Sequence, residues 1–271
     1  MSADRTSGEA GLGGGNGMIS LYDVRFTYPG HSRTILHDLR LEIPRGAITA
    51  VLGPNGSGKT TLLHLILGIR SPQQGRIELS GRPQNSYTRR ELSRLVGLVP
   101  QDEPITFDFT VLEYVLLGRA PYIGPLDMPG ENDRRIALQA LQSTGVADLQ
   151  HRSIATLSGG ERQLTIVTRA LAQQPRILLL DEPTAHLDLS NKSRILQILG
   201  SLQAQGVTIV LTTHDPQVAS SVADFVVLMR QGQVVDAGPP GTVLTSEKLS
   251  ATYDTAVEVL RVGDKTIVLL S

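Results

Sequence analysis

Eight consecutive residues, Gly53, Pro54, Asn55, Gly56, Ser57, Gly58, Lys59 and Thr60, place glycines where a backbone must curl and end on a lysine and a hydroxyl. In such a loop successive N–H groups point at phosphate oxygens, at the positive end of the helix that follows. Lys59 supplies a mobile positive charge for β and γ phosphates, and Thr60 a hydroxyl for Mg²⁺. The rival reading, a GxGxxG dinucleotide loop, leaves Lys59 and Thr60 without a task. A phosphate cradle hydrolyses nothing by itself, so a metal-holding carboxylate and a water-activating group should sit at the end of a neighbouring strand. Residues 177–182 (ILLLDE) provide both. Asp181 can hold Mg²⁺ through its water shell, and Glu182 can accept a proton from, or orient, the attacking water. A second cradle is written at residues 157–161 (LSGGE), where Ser158, Gly159 and Gly160 ahead of Glu161 open another helix and another anion-attracting N-terminus. One nucleotide cannot use both cradles of one chain if they face apart.

The elements that must position these groups follow from patterning. Residues 47–52 (AITAVL) read as a buried parallel strand entering the glycine loop, and residues 60–69 as the helix leaving it. Before them, alternation from Ile19 and again over residues 35–43, punctuated by Pro29, Gly30, Pro44 and Gly46, predicts antiparallel strands. A strand at 75–79 and a helix at 89–95 follow. Residues 110–155 carry helical patterns broken by PYIGPLDMPG and no convincing strand, which makes them a helical insertion. Strands at 177–180, 207–211 and 225–229 then alternate with helices at 160–173, 191–205 and 216–222, the grammar of βαβ units. The expected fold class is α/β, a parallel-sheet core that resembles the P-loop NTPase (RecA-like) type, with an antiparallel β subdomain and a helical insertion. Its expected segments are a flexible tail at 1–17, the antiparallel subdomain and first part of the core at 18–100, the helical subdomain at 101–157, the second part of the core at 158–244, and a C-terminal extension at 245–271. In that extension VEVLRVGDKTIVLL reads as a hairpin turning at Gly263 and Asp264 and covering an edge of the sheet.

Composition removes several classes. Twenty-five Lys and Arg against twenty-six Asp and Glu leave a formal charge of -1, so no global field draws nucleic acid. Cys is absent, which excludes disulfides, Cys-ligated zinc and thiol nucleophiles. No run approaches the ~20 apolar residues needed to span a bilayer, and the first seventeen residues lack the apolar stretch of a signal peptide, so a soluble, cytosolic chain is expected.

With Arg162 and Gln163 behind it, LSGGE resembles the signature motif of the ATP-binding cassette (ABC) superfamily, and the resemblance extends from Met18 to about Leu244. It implies a head-to-tail homodimer in which each MgATP lies between one chain's loop, Gly53 through Thr61, and the other chain's Ser158, Gly159, Gly160 and Glu161. It implies further roles one residue at a time. Tyr28 (FTYPG) resembles the aromatic that stacks on adenine, Gln101 (LVPQD) the glutamine that contacts Mg²⁺ and water, His214 (LTTHD) the switch histidine at the γ-phosphate, and Asp188 (TAHLD) the inter-subunit aspartate. The catalytic set is then Glu182, His214, Lys59 and Gln101, and the metal set Thr60, Gln101 and Asp181. Two departures, His186 where many relatives carry Ala and Leu164 where a second Arg is common, touch no phosphate-contacting position and predict altered dimer packing at most.

What the ATPase drives is read from what is missing. A translation-type cassette protein would carry two cassettes and basic linkers, and a chromosome-type ATPase a long coiled coil between loop and signature; neither is present. The remaining reading is the ATPase subunit of an importer, peripheral on the cytoplasmic face of the membrane, docked on a separate permease and indirectly served by a substrate-binding protein. VLEYVLLGRAPYIGPLDMPGENDRRIALQAL and EPTAHLDL resemble the ATPases of importers for ferric siderophores, haem and cobalamin, with zinc, manganese and molybdate importers close behind. Within that group residues 111–123 would border the permease, and ferric siderophore is the expected cargo. An exporter or lipoprotein-releasing subunit is the alternative within transporters.

Overall fold

The computed structural model describes residues 17–262 and 265–270. Gly17–Thr27 (β1) and Thr34–Pro44 (β2) bury alternate residues and pair antiparallel. Ile48–Leu52 (β3), buried at every residue, runs into the glycine loop, and Lys59–Ile66 (α1) leaves it. Gln74–Leu79 (β4) and the two-residue Arg82–Pro83 (β5) complete an antiparallel sheet in the order β2-β1-β4-β5. Arg89–Leu95 (α2), opened by a Thr88–Glu91 capping box, leads directly into Val96–Val99 (β6).

Val111–Leu116 (α3), Glu131–Thr144 (α4) and Gly159–Ala172 (α5) make the helical insertion and its continuation into the core. The Thr144 and Thr168 hydroxyls, both buried, meet at 2.7 Å and join α4 to α5. Beyond α5 come Ile177–Leu180 (β7), Leu189–Ala204 (α6), Thr208–Thr213 (β8), Pro216–Val222 (α7), Phe225–Arg230 (β9) and Gln233–Gly238 (β10). The chain ends in Pro240–Val243 (α8), Ser246–Tyr253 (α9), Val257–Val262 (β11) and Lys265–Leu270 (β12).

The main sheet runs β10-β9-β3-β8-β7-β6, with every pair parallel except β10 on β9. Its strands alternate between two cores, as a sheet covered on both faces must. Ala50, Leu52, Leu178, Leu180, Ile209 and Leu211 face the helical side with α3 to α6, whereas Val51, Ile177, Leu179 and Val210 face α1 and the antiparallel sheet. Strand β3 ends level with β8, Leu52 pairing with Thr213, and β7 ends two residues short of it, Leu180 pairing with Leu211. Loops leaving β3, β7 and β8 therefore emerge side by side at the carboxyl edge, where open α/β sheets bind ligands.

Several expectations are corrected. Residues 96–99 are a fifth parallel strand that the hydrophobic pattern does not reveal, because Gly97 interrupts a short run that follows a helix without a break. Residues 233–238 form an antiparallel edge strand, joined to β9 by a two-residue turn in which Gln231 and Gly232 both have positive φ, at 49° and 77°. The core sheet is thus parallel only up to that edge. Strands β11 and β12 do pair as a hairpin, but in a two-stranded sheet of their own packed on α7 and α9 rather than along an edge of the main sheet. The expected turn at Gly263 and Asp264, and residues 1–16 of the expected tail, lie outside the described residues, while Gly17 already belongs to β1.

Candidate nucleotide-binding and hydrolysis site

The loop between β3 and α1 is shaped by its glycines. Gly56 and Gly58 have φ of 78° and 102°, and a Cβ on Gly53 would stand 2.2 Å from the Met229 carbonyl oxygen. Gly58 is also the N-cap of α1, which has no side-chain cap, so the first amides of that helix remain open. Lys59 is only 6% exposed, and its Nζ folds back to donate to the carbonyl oxygens of Gly53 at 2.7 Å and Pro54 at 3.2 Å. Burial holds its ammonium below the ordinary lysine range, partly offset by the carboxylates of Glu182 and Asp181. The Ser57 hydroxyl is buried without a hydrogen-bond partner in the protein. Open amides, an unpaired buried hydroxyl and a desolvated cation are what a triphosphate would satisfy.

Asp181 and Glu182 follow β7. Asp181 is buried, and its Oδ1 accepts the Thr212 hydroxyl at 2.6 Å. The same Thr212 oxygen accepts the Glu182 amide at 3.0 Å, so one side chain of β8 sets both acidic residues. Glu182 takes a left-handed backbone at φ 45°, uncommon for a residue with a Cβ. That turn aims its carboxylate across the strand ends: Oε1 lies 3.7 Å from Lys59 Nζ and Oε2 lies 2.8 Å from Nδ1 of His214, the residue after β8. A carboxylate gripped by a buried lysine on one oxygen and an imidazole on the other can take a proton from water held between it and a phosphate. The hydroxyl, carboxylate and carboxamide oxygens that Thr60, Asp181 and Gln101 carry are hard donors of the kind Mg²⁺ takes.

Lys59, Asp181, Glu182 and His214 are therefore brought together, and Tyr28 joins them at one remove. Its hydroxyl is 3.1 Å from that of Thr61, its ring packs edge-on against Phe26, and the Arg70 guanidinium lies over it at 5.7 Å. Gln101 is exposed in the segment after β6, beside Gly159, Arg162 and Gln163. The signature stands apart, with no hydrogen bond among the described residues from residues 158–161 to the 53–61 loop. Ser158 caps α5 in a reciprocal box, its hydroxyl accepting the Glu161 amide at 3.3 Å and its amide donating to Glu161 Oε2 at 2.8 Å. Those bonds hold the Glu161 carboxyl below its usual range. The helix opens at Gly159, one residue earlier than expected, and the amides of Gly159 and Gly160 have no acceptor within the helix. Asp188 caps α6 through the Asn191 amide at 2.7 Å and touches no nucleotide-loop residue.

Thr212 was missed by the sequence reading; its only signal is the pair of threonines, Thr212 and Thr213, that ends the apolar run just before His214. Also missed are links from the signature helix to the hydrolytic turn and to the segment after β6. Gln163 Nε2 donates to the Pro183 carbonyl at 3.2 Å, Arg162 Nη2 to the Glu103 carbonyl at 2.6 Å, and Arg169 pairs with the Glu103 carboxylate at 2.6 Å.

A phosphate loop, a carboxylate pair and a histidine at three adjacent strand ends, with a glycine-opened helix set apart, define a P-loop ATPase of cassette type. Residues 36–185 match the family model described as ABC transporter, and the chain belongs to that family and is an ATP hydrolase. The hemin import ATP-binding protein HmuV of Thermobifida fusca is 38% identical over 229 residues, 84% of this chain and 80% of that protein. The ferric enterobactin transport ATP-binding protein FepC of Escherichia coli is 36% identical over 221 residues, 81% of this chain and 82% of that protein. Among solved structures, a chain from an inward-facing conformation assigned to the metal-chelate type of ABC transporter matches at TM-score 0.82 and 34% identity, covering 94% of this chain and 97% of that one.

Proposed function

We propose that this chain is the ATPase subunit of an importer for a metal chelate, with ferric siderophore as cargo, acting as a homodimer on a separate permease at the cytoplasmic face of the membrane. The observation that carries the hydrolytic part is the Lys59–Glu182–His214 constellation at the ends of β3, β7 and β8. The cargo class is supported by the similarity to FepC and to the metal-chelate transporter chain. Among the described residues no helix is long and apolar enough to cross a membrane, which leaves translocation to another polypeptide.

The phosphates of ATP lie along the loop from Gly53 to Thr61, against its open amides, and Tyr28 supplies the adenine platform. Lys59 exchanges its carbonyl partners for β and γ oxygens, a trade of neutral acceptors for anionic ones that favours binding. Thr60, Asp181 and Gln101 would hold Mg²⁺, which would supply neutralisation of phosphate charge there. Glu182 takes the proton of the attacking water while His214 holds the carboxylate's second oxygen and faces the γ-phosphoryl group. Because Ser158, Gly159, Gly160 and Glu161 do not bond to the 53–61 loop of their own chain, they close over the nucleotide of a second copy, with Asp188 at the same seam. Binding closes the dimer and hydrolysis reopens it, which drives the permease.

Uptake of radio-iron as ferric siderophore, in a strain lacking this chain and rescued by wild type or by Glu182→Gln, tests both parts. Loss on deletion with rescue by wild type alone supports the reading. Intact siderophore uptake with lost hemin uptake moves the cargo to haem, the second reading, which the similarity to HmuV favours.

A further inference from the structure

The segment after α8 has no part in the chemistry above, yet it reaches the site. Tyr253, the last residue of α9, donates its hydroxyl to the backbone carbonyl of His214 at 3.0 Å. Burial, reinforced by the Asp215 and Glu182 carboxylates, pushes the Tyr253 phenol well above its ordinary range, so it remains a donor at any physiological pH. The helix end that carries it is fixed to the main sheet. Arg230, closing β9, donates to both Asp254 carboxylate oxygens, at 2.7 and 2.6 Å, and to the Ala251 carbonyl.

A second grip lies on the other side of His214. Gln217 Nε2 and Ser220 Oγ, both on α7, each donate to the Thr266 carbonyl of β12 at 3.2 Å, and the Val268 amide donates to Gln217 Oε1 at 3.3 Å. Helix α7 starts at Pro216, immediately after the Asp215 cap, so fixing α7 and the His214 carbonyl leaves the intervening backbone little freedom. That constraint matters because the His214 side chain is 54% exposed and has one side-chain partner, Glu182. Packing does not aim the imidazole; the backbone does.

We propose that Tyr253 is a positioning residue for ATP hydrolysis, holding the His214 backbone so that the imidazole meets Glu182, with α9 and the β11–β12 hairpin tying that grip to the sheet. The inference rests on the reading of Glu182 and His214 as the hydrolytic pair. A shift of about 1 Å in a catalytic group costs on the order of a hundredfold in rate, and loss of one hydrogen bond to a restrained carbonyl a fraction of that. Tyr253→Phe, which removes only the hydroxyl, should lower kcat about three- to tenfold, with KM for ATP and the unfolding temperature close to wild type.

The test is steady-state ATPase kinetics of the purified full-length chain as wild type, Tyr253→Phe, His214→Ala and the double variant, with amide hydrogen exchange over residues 213–218 as a readout independent of turnover. Expected are a lowered kcat in Tyr253→Phe, a double variant no slower than His214→Ala, and faster exchange at 214–216 in Tyr253→Phe. Tyr253→Phe at the wild-type rate and exchange, beside a crippled His214→Ala, overturns the inference and leaves the hydrolytic reading standing. Additive losses in the double variant overturn it too, because Tyr253 would then act without His214. A His214→Ala enzyme at the wild-type rate removes the hydrolytic reading, and this inference with it.

Discussion

Nδ1 of His214 stands 2.8 Å from Oε2 of Glu182, across the gap between the ends of β8 and β7. The approach depends on the left-handed backbone of Glu182, a conformation that costs on the order of 1–3 kcal/mol in a residue with a Cβ. Two bonds hold it there: the Glu182 amide to Thr212 Oγ1 at 3.0 Å, and the Glu182 carbonyl taking the Ala185 amide at 3.0 Å. Strain localised at a carboxylate between a lysine and a histidine fits a group whose aim matters more than its stability.

Glu182→Gln preserves the shape of this carboxylate and removes its basicity and charge. ATP should still bind, kcat should fall by about a hundredfold or more, and an ATP-bound dimer should accumulate. Turnover assays and light-scattering mass with ATP check this. Wild-type turnover in the variant would end the assignment of Glu182 as base.

Thr212→Val keeps the volume of the side chain and strands two polar groups, Asp181 Oδ1 and the Glu182 amide, that now share its hydroxyl. Leaving such groups unpaired costs about 1–3 kcal/mol. Chemical unfolding should show that loss, and kcat should fall with it because both acidic residues lose their common support. Thr212→Ser, which keeps the hydroxyl, should recover most of each; recovery of neither would mean that the site needs the methyl group as well as the hydroxyl.

Thr212 also marks where the sequence stops being informative. The loop glycines, Lys59, Asp181, Glu182 and Ser158 are legible because local spacing dictates their chemistry: a loop must curl, a carboxylate must end a strand, a helix must be capped. Strands β3, β7 and β8 are legible because burial on both faces demands continuous apolar runs. Thr212 acts across β7 and β8, Tyr253 across α9 and β8, and Arg169 across α5 and the Glu103 segment, and pairings between distant elements leave no periodic trace. Strand β6 was hidden for a different reason, since Leu95 ends a helix and Val96 begins a strand with no turn residue between them.

Lys59 carries a pH signature whose sign follows from its environment. Its folded-state pKa is lowered, with burial the largest cause, so between that depressed value and the ordinary 10.5 the unfolded chain binds more protons than the folded one. Stability therefore rises with pH through that window, and near neutrality the buried ammonium is a penalty. Lys59→Met should unfold at a higher temperature than wild type without nucleotide near neutral pH, the difference shrinking as pH approaches 10.5, while affinity for ATP drops. Thermal scans of the pair across that range are decisive, because a gap independent of pH would show that the lysine is not desolvated.

The LGR segment separates packing from docking. Residues 111–123 were expected to border the permease, yet Tyr114 is 2% exposed and Arg119 3%. Arg119 pairs with Asp133 at 3.0 Å, donates to the Ala172 carbonyl at 2.8 Å and lies over the Tyr122 ring at 3.9 Å, joining α4, α5 and the turn between them and α3. Arg119→Ala leaves Asp133 Oδ1 and that carbonyl without their partner and should cost about 3 kcal/mol or more, read as a drop of several degrees in unfolding temperature with or without a permease. Leu117, 45% exposed on the same segment, should behave in the opposite way. Leu117→Ser should leave the unfolding temperature within the ~0.5 kcal/mol typical of surface changes. If this face meets the permease, the same variant should reduce cargo uptake in cells without reducing the ATPase rate of the isolated chain. Uptake at the wild-type level would place the docking surface elsewhere on the helical insertion.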